Sequence, residues 1–114
     1  MSNSKWYKLF VTWDKSGIEI EFSEWSFIGS DHKEVHRLPY ENELYDERFS
    51  DGYFQPFEYK WIESIYIPNT YRPISGVGFE RKQDIEGLIR SASTVGKFPI
   101  FRTSGGIEIR GYEK

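Results

Sequence analysis

The stretch IEIEF, residues 18–22, alternates apolar and charged side chains one by one. A period of two belongs to an extended strand with one face buried and one face wet. A chain that carries such a strand needs a second layer to cover the apolar face. Read on to residue 28 as IEIEFSEWSFI, it is the clearest strand in the sequence. Ile18, Ile20 and Phe22 are expected to face the core, and Glu19, Glu21 and Ser23 the solvent. WIESIYI, residues 61–67, reads as a more buried strand that Pro68-Asn69 stops. FPIFRTSGGIEIRGY, residues 98–112, reads as a β-hairpin turning at Ser104-Gly105-Gly106, with Ile107 and Ile109 alternating with Glu108 and Arg110. GIEI occurs at both 17–20 and 106–109, but the flanks differ, and alternating Ile and Glu suits any half-buried strand.

Helical spacing supplies the covering layer. Ile85, Leu88, Ile89, Ala92 and Val95 fall on one face of a helix over 82–95, with Gly96 placed to end it. Gly87 weakens this helix by roughly 1 kcal/mol relative to Ala, so packing must hold it. Residues 4–13, SKWYKLFVTW, support two readings. Trp6, Leu9, Phe10 and Trp13 have helical spacing behind a Ser4 N-cap, whereas Tyr7, Leu9, Val11 and Trp13 alternate as in a strand. DKSG, residues 14–17, turns the chain, and residues 69–79 read as a loop with Pro73, Gly76 and Gly78. The expected fold class is α+β: a mainly antiparallel sheet with one or two packed helices and a C-terminal β-hairpin, in a single domain over 1–114.

Residues 29–58 show no sustained period and contain Gly29, Pro39, Gly52 and Pro56. So long a connection inside one domain is usually functional or conceals short elements. It is also where the acid lies. Residues 31–58 hold eight acids and three bases, whereas residues 69–114 hold five acids and eight bases. The net charge of −3 argues against nonspecific nucleic-acid binding. With 18% aromatic residues the chain is too rich in core formers to be disordered, and with no Cys it has neither disulfides nor thiolate chemistry. MSNSKWYKLFVTWDKSG lacks the apolar core of a signal peptide, and no apolar run approaches the ~20 residues of a membrane span. These features lead to the expectation of a cytoplasmic protein that engages no membrane.

No constellation names an enzyme. In DHKEVH, residues 31–36, His32 and His36 would share one face of a helix and could bind Zn²⁺ with Asp31 or a distant carboxylate. The segment is polar on every side, so two solvated loop histidines are the expectation. Carboxylate pairs such as Glu41 with Glu43 and Asp46 with Glu47 lack the burial that raises an acid's pKa for glycosidase chemistry. Asp51-Gly52 lacks the ligand spacing of a calcium loop. GVGF, residues 76–79, lacks the third glycine of a phosphate loop, and Ser91, Ser93 and Ser104 have no matching His. Arg102 and Arg110, near Tyr112, would suit single-stranded nucleic acid, but pairing with the chain's own acids is the simpler expectation. The reading is therefore no enzyme, no metal and no cofactor, with a metal-dependent hydrolase using His32 and His36, or a self-associating module, as alternatives.

The stretch ENELYDERFSDGYF, residues 41–54, is the candidate binding surface. Aromatic side chains anchor interfaces because they offer large area for little entropy, and carboxylates around them steer a basic partner inward. The expected partner-binding residues are Glu41, Glu43, Tyr45, Asp46, Glu47, Asp51, Tyr53 and Phe54.

Lys5-Trp6 with Leu9-Phe10, the strand at 18–22, EYKWIESIYI at 58–67, the helix at 84–94 and the closing IEIRGY at 107–112 together resemble a family of small bacterial proteins. That family is similar to the immunity proteins of polymorphic-toxin and contact-dependent growth inhibition systems. The acidic stretch 31–56 has no counterpart in the resemblance. The resemblance implies a cytoplasmic protein without cofactor that binds and neutralises one cognate toxin domain; the acidic stretch 41–54, as a mimic met by a basic partner, points to a nuclease whose nucleic-acid groove it blocks. It implies that Trp6, Trp61 and Gly111-Tyr112 are core or hairpin positions, and it tilts residues 4–13 towards helix.

Overall fold

The computed structural model describes residues 1–50, 57–72 and 80–112. Asn3–Lys15 forms helix α1, which settles the choice left open by periodicity. All four residues at helical spacing, Trp6, Leu9, Phe10 and Trp13, are buried, while Tyr7 and Val11 of the strand reading are only half-buried. The N-cap is Ser2 rather than Ser4, its hydroxyl accepting from the Lys5 N–H. Gly17, at φ 76, turns the chain out of the helix in a conformation that side chains with a Cβ resist.

Nine strands follow among the described residues, in chain order: β1 (Ser23–Phe27), β2 (Lys33–His36), β3 (Arg48–Phe49), β4 (Phe57–Glu58), β5 (Ile62–Pro68), β6 (Thr70–Tyr71), β7 (Arg81–Lys82), β8 (Ile100–Arg102) and β9 (Gly106–Arg110). Helix α2 (Ile85–Ser93) lies between β7 and β8. The main sheet has the order β2-β1-β5-β9-β8, with every neighbouring pair antiparallel. β3 pairs with β4, and β6 with β7, as two small ribbons. The α+β architecture is as expected, with WIESIYI supplying the central strand and FPIFRTSGGIEIRGY the edge hairpin β8–β9.

One continuous core joins the two helices to one face of the sheet. Trp25 and Phe27 of β1, Ile65 and Ile67 of β5, and Ile107 and Ile109 of β9 meet α1 and α2 there. Phe10 is its hub: its ring lies 5.4 Å from Trp6, 5.7 Å from Trp25, 6.1 Å from Tyr59 and 6.4 Å from Phe49. Burying each such side chain contributes about 1.5–3 kcal/mol. The Trp13 indole N–H donates to the Leu88 carbonyl at 2.9 Å and ties α1 to α2. On the opposite face, Glu24, Ser26, Ser64, Tyr66 and Glu108 are half-exposed. No helix among the described residues is long and apolar enough to cross a membrane.

The structure corrects three local expectations. The strand read over 18–28 pairs only from Ser23, and the alternation slips by one residue at that point. Ile20 is buried and Ile18 and Phe22 half-buried, as expected, but Ser23 is buried instead of wet. Its hydroxyl accepts from the Trp25 indole N–H at 2.8 Å and donates to the His36 carbonyl, which makes its burial tolerable. Beyond the slip, Gln83 stands in for a missing strand rung. Its side chain bonds the Phe22 N–H (3.1 Å) and carbonyl (3.0 Å) and the Pro68 carbonyl (3.0 Å).

The second correction concerns α2, which spans Ile85–Ser93 and is capped by Asp84 and Thr94; Gly96 lies beyond its end and does not terminate it. Gly87 is explained by close approach. A Cβ there would stand 2.3 Å from the capping Asp84 carboxylate and 2.7 Å from Ile18 Cδ1. Third, Trp61, placed by the resemblance in a core or hairpin position, lies in the 3-10 turn before β5 and is 43% exposed, whereas Trp6 is fully buried and Gly111-Tyr112 directly follow β9 of the hairpin. Of the expected loop 69–79, residues 70–71 form β6, and 73–79, including GVGF, lie outside the described residues.

Candidate functional site

The connection 29–58 conceals β2, β3, β4 and a 3-10 turn at Glu41–Glu43. That turn is held from beneath by a carboxylate. Glu43 Oε1 and Oε2 accept from Arg37 Nη1 and Nη2 at 2.7 and 2.8 Å, and Oε1 also accepts from the Tyr40 N–H at 2.9 Å. The Arg37 guanidinium in turn lies 4.0 Å from the centre of the ring of Tyr40, a residue that is 49% exposed. From the other side, Asp14 at the end of α1 accepts from the Glu41 N–H at 2.8 Å, and Lys15 stands 3.6 Å from the Glu41 carboxylate.

Leu44 and Phe49 are buried and bridge to each other, so residues 45–48 form a tight tip between them. The Tyr45 N–H donates to the Arg48 carbonyl at 2.7 Å and closes it. Tyr59, fully buried, fastens the tip to the core. Its N–H donates to the Glu47 carbonyl (2.9 Å) and its hydroxyl to the Tyr45 carbonyl (2.7 Å). Burial, followed by the charge of Tyr7 on ionisation, holds the Tyr59 hydroxyl well above the usual tyrosine pKa, so it remains a donor. Asp46 and Glu47 are exposed at the tip, Tyr45 is 52% exposed, and the Arg48 guanidinium lies 5.4 Å from the Tyr45 ring centre.

The expected binding residues therefore divide. Glu41, Tyr45, Asp46 and Glu47 are on the surface, on a backbone fixed at both ends. Glu43 is withdrawn from it and serves as the clamp on Arg37. Asp51, Tyr53 and Phe54 lie outside the described residues.

Two concavities flank this ridge. A cleft of about 350 Å³ runs along its Tyr40 side, with Asp14, Glu19 and Glu21 among its walls and Ile18, Ile20 and Leu38 in its lining. A more open depression of about 470 Å³ lies between the first turn of α1 and Asp46-Glu47. Sequence reasoning missed the cleft. Glu19 and Glu21 were legible as a wet face, but not as a wall facing Tyr40, because the slip at Ser23 takes this segment out of the ladder. Glu21 also accepts from the Tyr71 hydroxyl and lies 3.4 Å from Arg81.

His32 and His36 do not form a helical pair. His36 ends strand β2 and His32 precedes it. Four residues of extended chain span about 13 Å, too far for two imidazoles to share one ion. His36 packs edge-on to Trp25 and lies 3.6 Å from Glu34. Among the described residues no group of three His, Asp or Glu side chains is placed to hold a metal ion. Three of the basic residues of the C-terminal third are paired with acids: Arg81 with Glu21, Arg102 with Glu86, and Arg110 with Glu108. The Arg102 guanidinium bonded to Glu86 holds that carboxyl below its ordinary pKa.

The fold and surface together define an α+β protein that displays a preorganised acidic and aromatic ridge. In comparisons with family models, curated proteins and solved structures, the chain matches none.

Proposed function

We propose that the protein is a cytoplasmic immunity protein that binds a cognate bacterial toxin domain through the ridge of Glu41, Tyr45, Asp46 and Glu47, and so neutralises it. One observation carries the reading. Three exposed carboxylates and the exposed rings of Tyr40 and Tyr45 fall within residues 40–47, whose backbone is fastened to α1 through Asp14 and to the core through Tyr59. Such preorganisation lowers the ordering entropy of binding. With Asp14, Glu41, Glu43, Asp46 and Glu47 set against Lys15, Arg37 and Arg48, the ridge keeps an excess of two negative charges, which suits a partner whose own surface is basic, as the nucleic-acid groove of a nuclease is. On this reading the protein is no enzyme and needs no cofactor, and the carboxylates occupy the place of phosphates.

The test is co-expression with the C-terminal domain of the reading frame immediately upstream. The proposal expects that domain to be toxic alone, harmless in the presence of this protein, and co-purified with it. A neighbour that is harmless alone, or that fails to associate, overturns the proposal.

A further inference from the structure

A second groove, remote in sequence from the acidic ridge, lies between α2 and β8. It measures about 380 Å³ and is lined by Ile89, Ala92, Phe98 and Ile100, with Ser93 and Gly96 on its wall and Lys97 and Arg102 contributing cations. Arg102 is already bonded to Glu86. Lys97, by contrast, has no carboxylate partner among the described residues. The groove thus offers an apolar pocket beside an ammonium that no carboxylate among the described residues neutralises.

The strand that forms its other wall is an edge. β8 ends the five-stranded sheet. The Thr103 N–H donates to the Gly106 carbonyl at 2.9 Å, and the Arg110 N–H to the Pro99 carbonyl at 3.0 Å. Pro99, Phe101 and Thr103 therefore direct their backbone groups at β9, and the intervening Ile100 and Arg102 direct theirs outward. The Ile100 N–H is taken up by the Phe98 carbonyl at 2.8 Å. The Ile100 carbonyl and the Arg102 N–H and carbonyl remain facing outward, while the side chains of the same two residues line the groove.

We propose that this groove binds an extended peptide. The peptide joins the sheet as a strand beside β8, pairing with the outward groups of Ile100 and Arg102. It seats one aliphatic side chain between Ala92, Phe98 and Ile100, and sets a carboxylate against Lys97. An added strand supplies the donors and acceptors that an edge lacks, and its alternate side chains read the adjoining pocket. With only three residues in β8, few rungs are available, so the pocket and Lys97 carry much of the selectivity. The inference does not depend on the immunity reading, because no residue is shared between the two surfaces.

The probe is a display library of random heptapeptides with free C-terminal carboxylates, panned on the intact protein. The expected result is enrichment of peptides with an aliphatic residue near an acidic group. A selected peptide should shift the Arg102 backbone amide resonance and those of Ile89 and Ala92. Lys97→Glu should weaken it at least about tenfold, and Ser93→Trp, which fills the groove from an exposed helix position, should abolish binding without lowering the melting temperature. The proposal is overturned by no enrichment, by equal binding to Lys97→Glu, or by resonance shifts confined to other surfaces. It is also overturned if a simple aliphatic carboxylate such as decanoate binds equally well without moving the Arg102 amide. A concentration-dependent dimer formed through β8 would instead make the second copy the occupant.

Discussion

Glu43→Gln isolates the clamp from the surface it supports. The substitution keeps the shape of the side chain but replaces one carboxylate oxygen with an amide that faces the Arg37 guanidinium, donor against donor. One of the two fork bonds, at 2.7 and 2.8 Å, is lost, and the guanidinium loses its countercharge. Breaking a fully buried pair by removing one partner costs about 3–5 kcal/mol. Here the Glu43 side chain is 11% exposed but that of Arg37 is 38% exposed, so water takes back part of the guanidinium's hydration. The loss is accordingly nearer that of charge-assisted hydrogen bonds, about 1.5–3 kcal/mol. For a chain of this size that is a fall in melting temperature of roughly 6–12 °C. The assay is a reversible thermal melt followed by circular dichroism, with urea midpoints as a second measure. Glu41→Gln is the control: its Lys15 pair is exposed at 3.6 Å, and its loss should stay within about 0.5 kcal/mol. If Glu43→Gln melts with Glu41→Gln, close to the wild type, Glu43 is not a clamp and the account of a preorganised ridge fails.

Tyr59→Phe should cost about 1–2 kcal/mol at neutral pH through the lost bond to the Tyr45 carbonyl. Because the folded-state pKa of Tyr59 is raised above 10.0, its contribution is complete below pH 10.0 and lost as pH rises beyond it. Urea midpoints of wild type and variant should therefore converge in strong alkali, and a constant gap would contradict the burial assigned to this hydroxyl. Gln83→Leu should destabilise by about 1–3 kcal/mol, since it strands the half-buried backbone N–H and carbonyl of Phe22 and the Pro68 carbonyl. Amide exchange at Phe22 should accelerate with it, and unchanged exchange would show that Gln83 is not a surrogate rung.

What was legible in the sequence was whatever a single element's period could express. WIESIYI and the C-terminal hairpin read correctly because burial there follows the chain's own alternation. Helix α1 was ambiguous because Leu9 and Trp13 satisfy both periods; its packing on Trp25 and α2 decides it. The slip at Ser23 was hidden because a serine between glutamates looks wet, and only a partner thirteen residues away, His36, makes it dry. β2, β3 and β4 are too short to show a period at all. Within the ridge, Glu43 has the same chemistry as Glu41 and Glu47. What separates clamp from surface is Arg37, six residues earlier, brought beneath the turn by the end of β2. The resemblance implied a core or hairpin position for Trp61, yet the 3-10 turn at Tyr59–Trp61 buries Tyr59 and leaves Trp61 outside.

The most direct test of the proposed function is the rate at which the C-terminal domain encoded immediately upstream, the proposed partner, associates with the wild-type protein and with the triple variant Glu41→Lys, Asp46→Lys, Glu47→Lys, measured by stopped flow over a series of salt concentrations. The account predicts fast, salt-sensitive association for the wild type. It predicts a rate about ten- to a thousandfold lower for the variant, with the salt dependence flattened or reversed. Equal rates and equal salt dependence for the two proteins, both folded, would place binding elsewhere and contradict the assignment of the ridge.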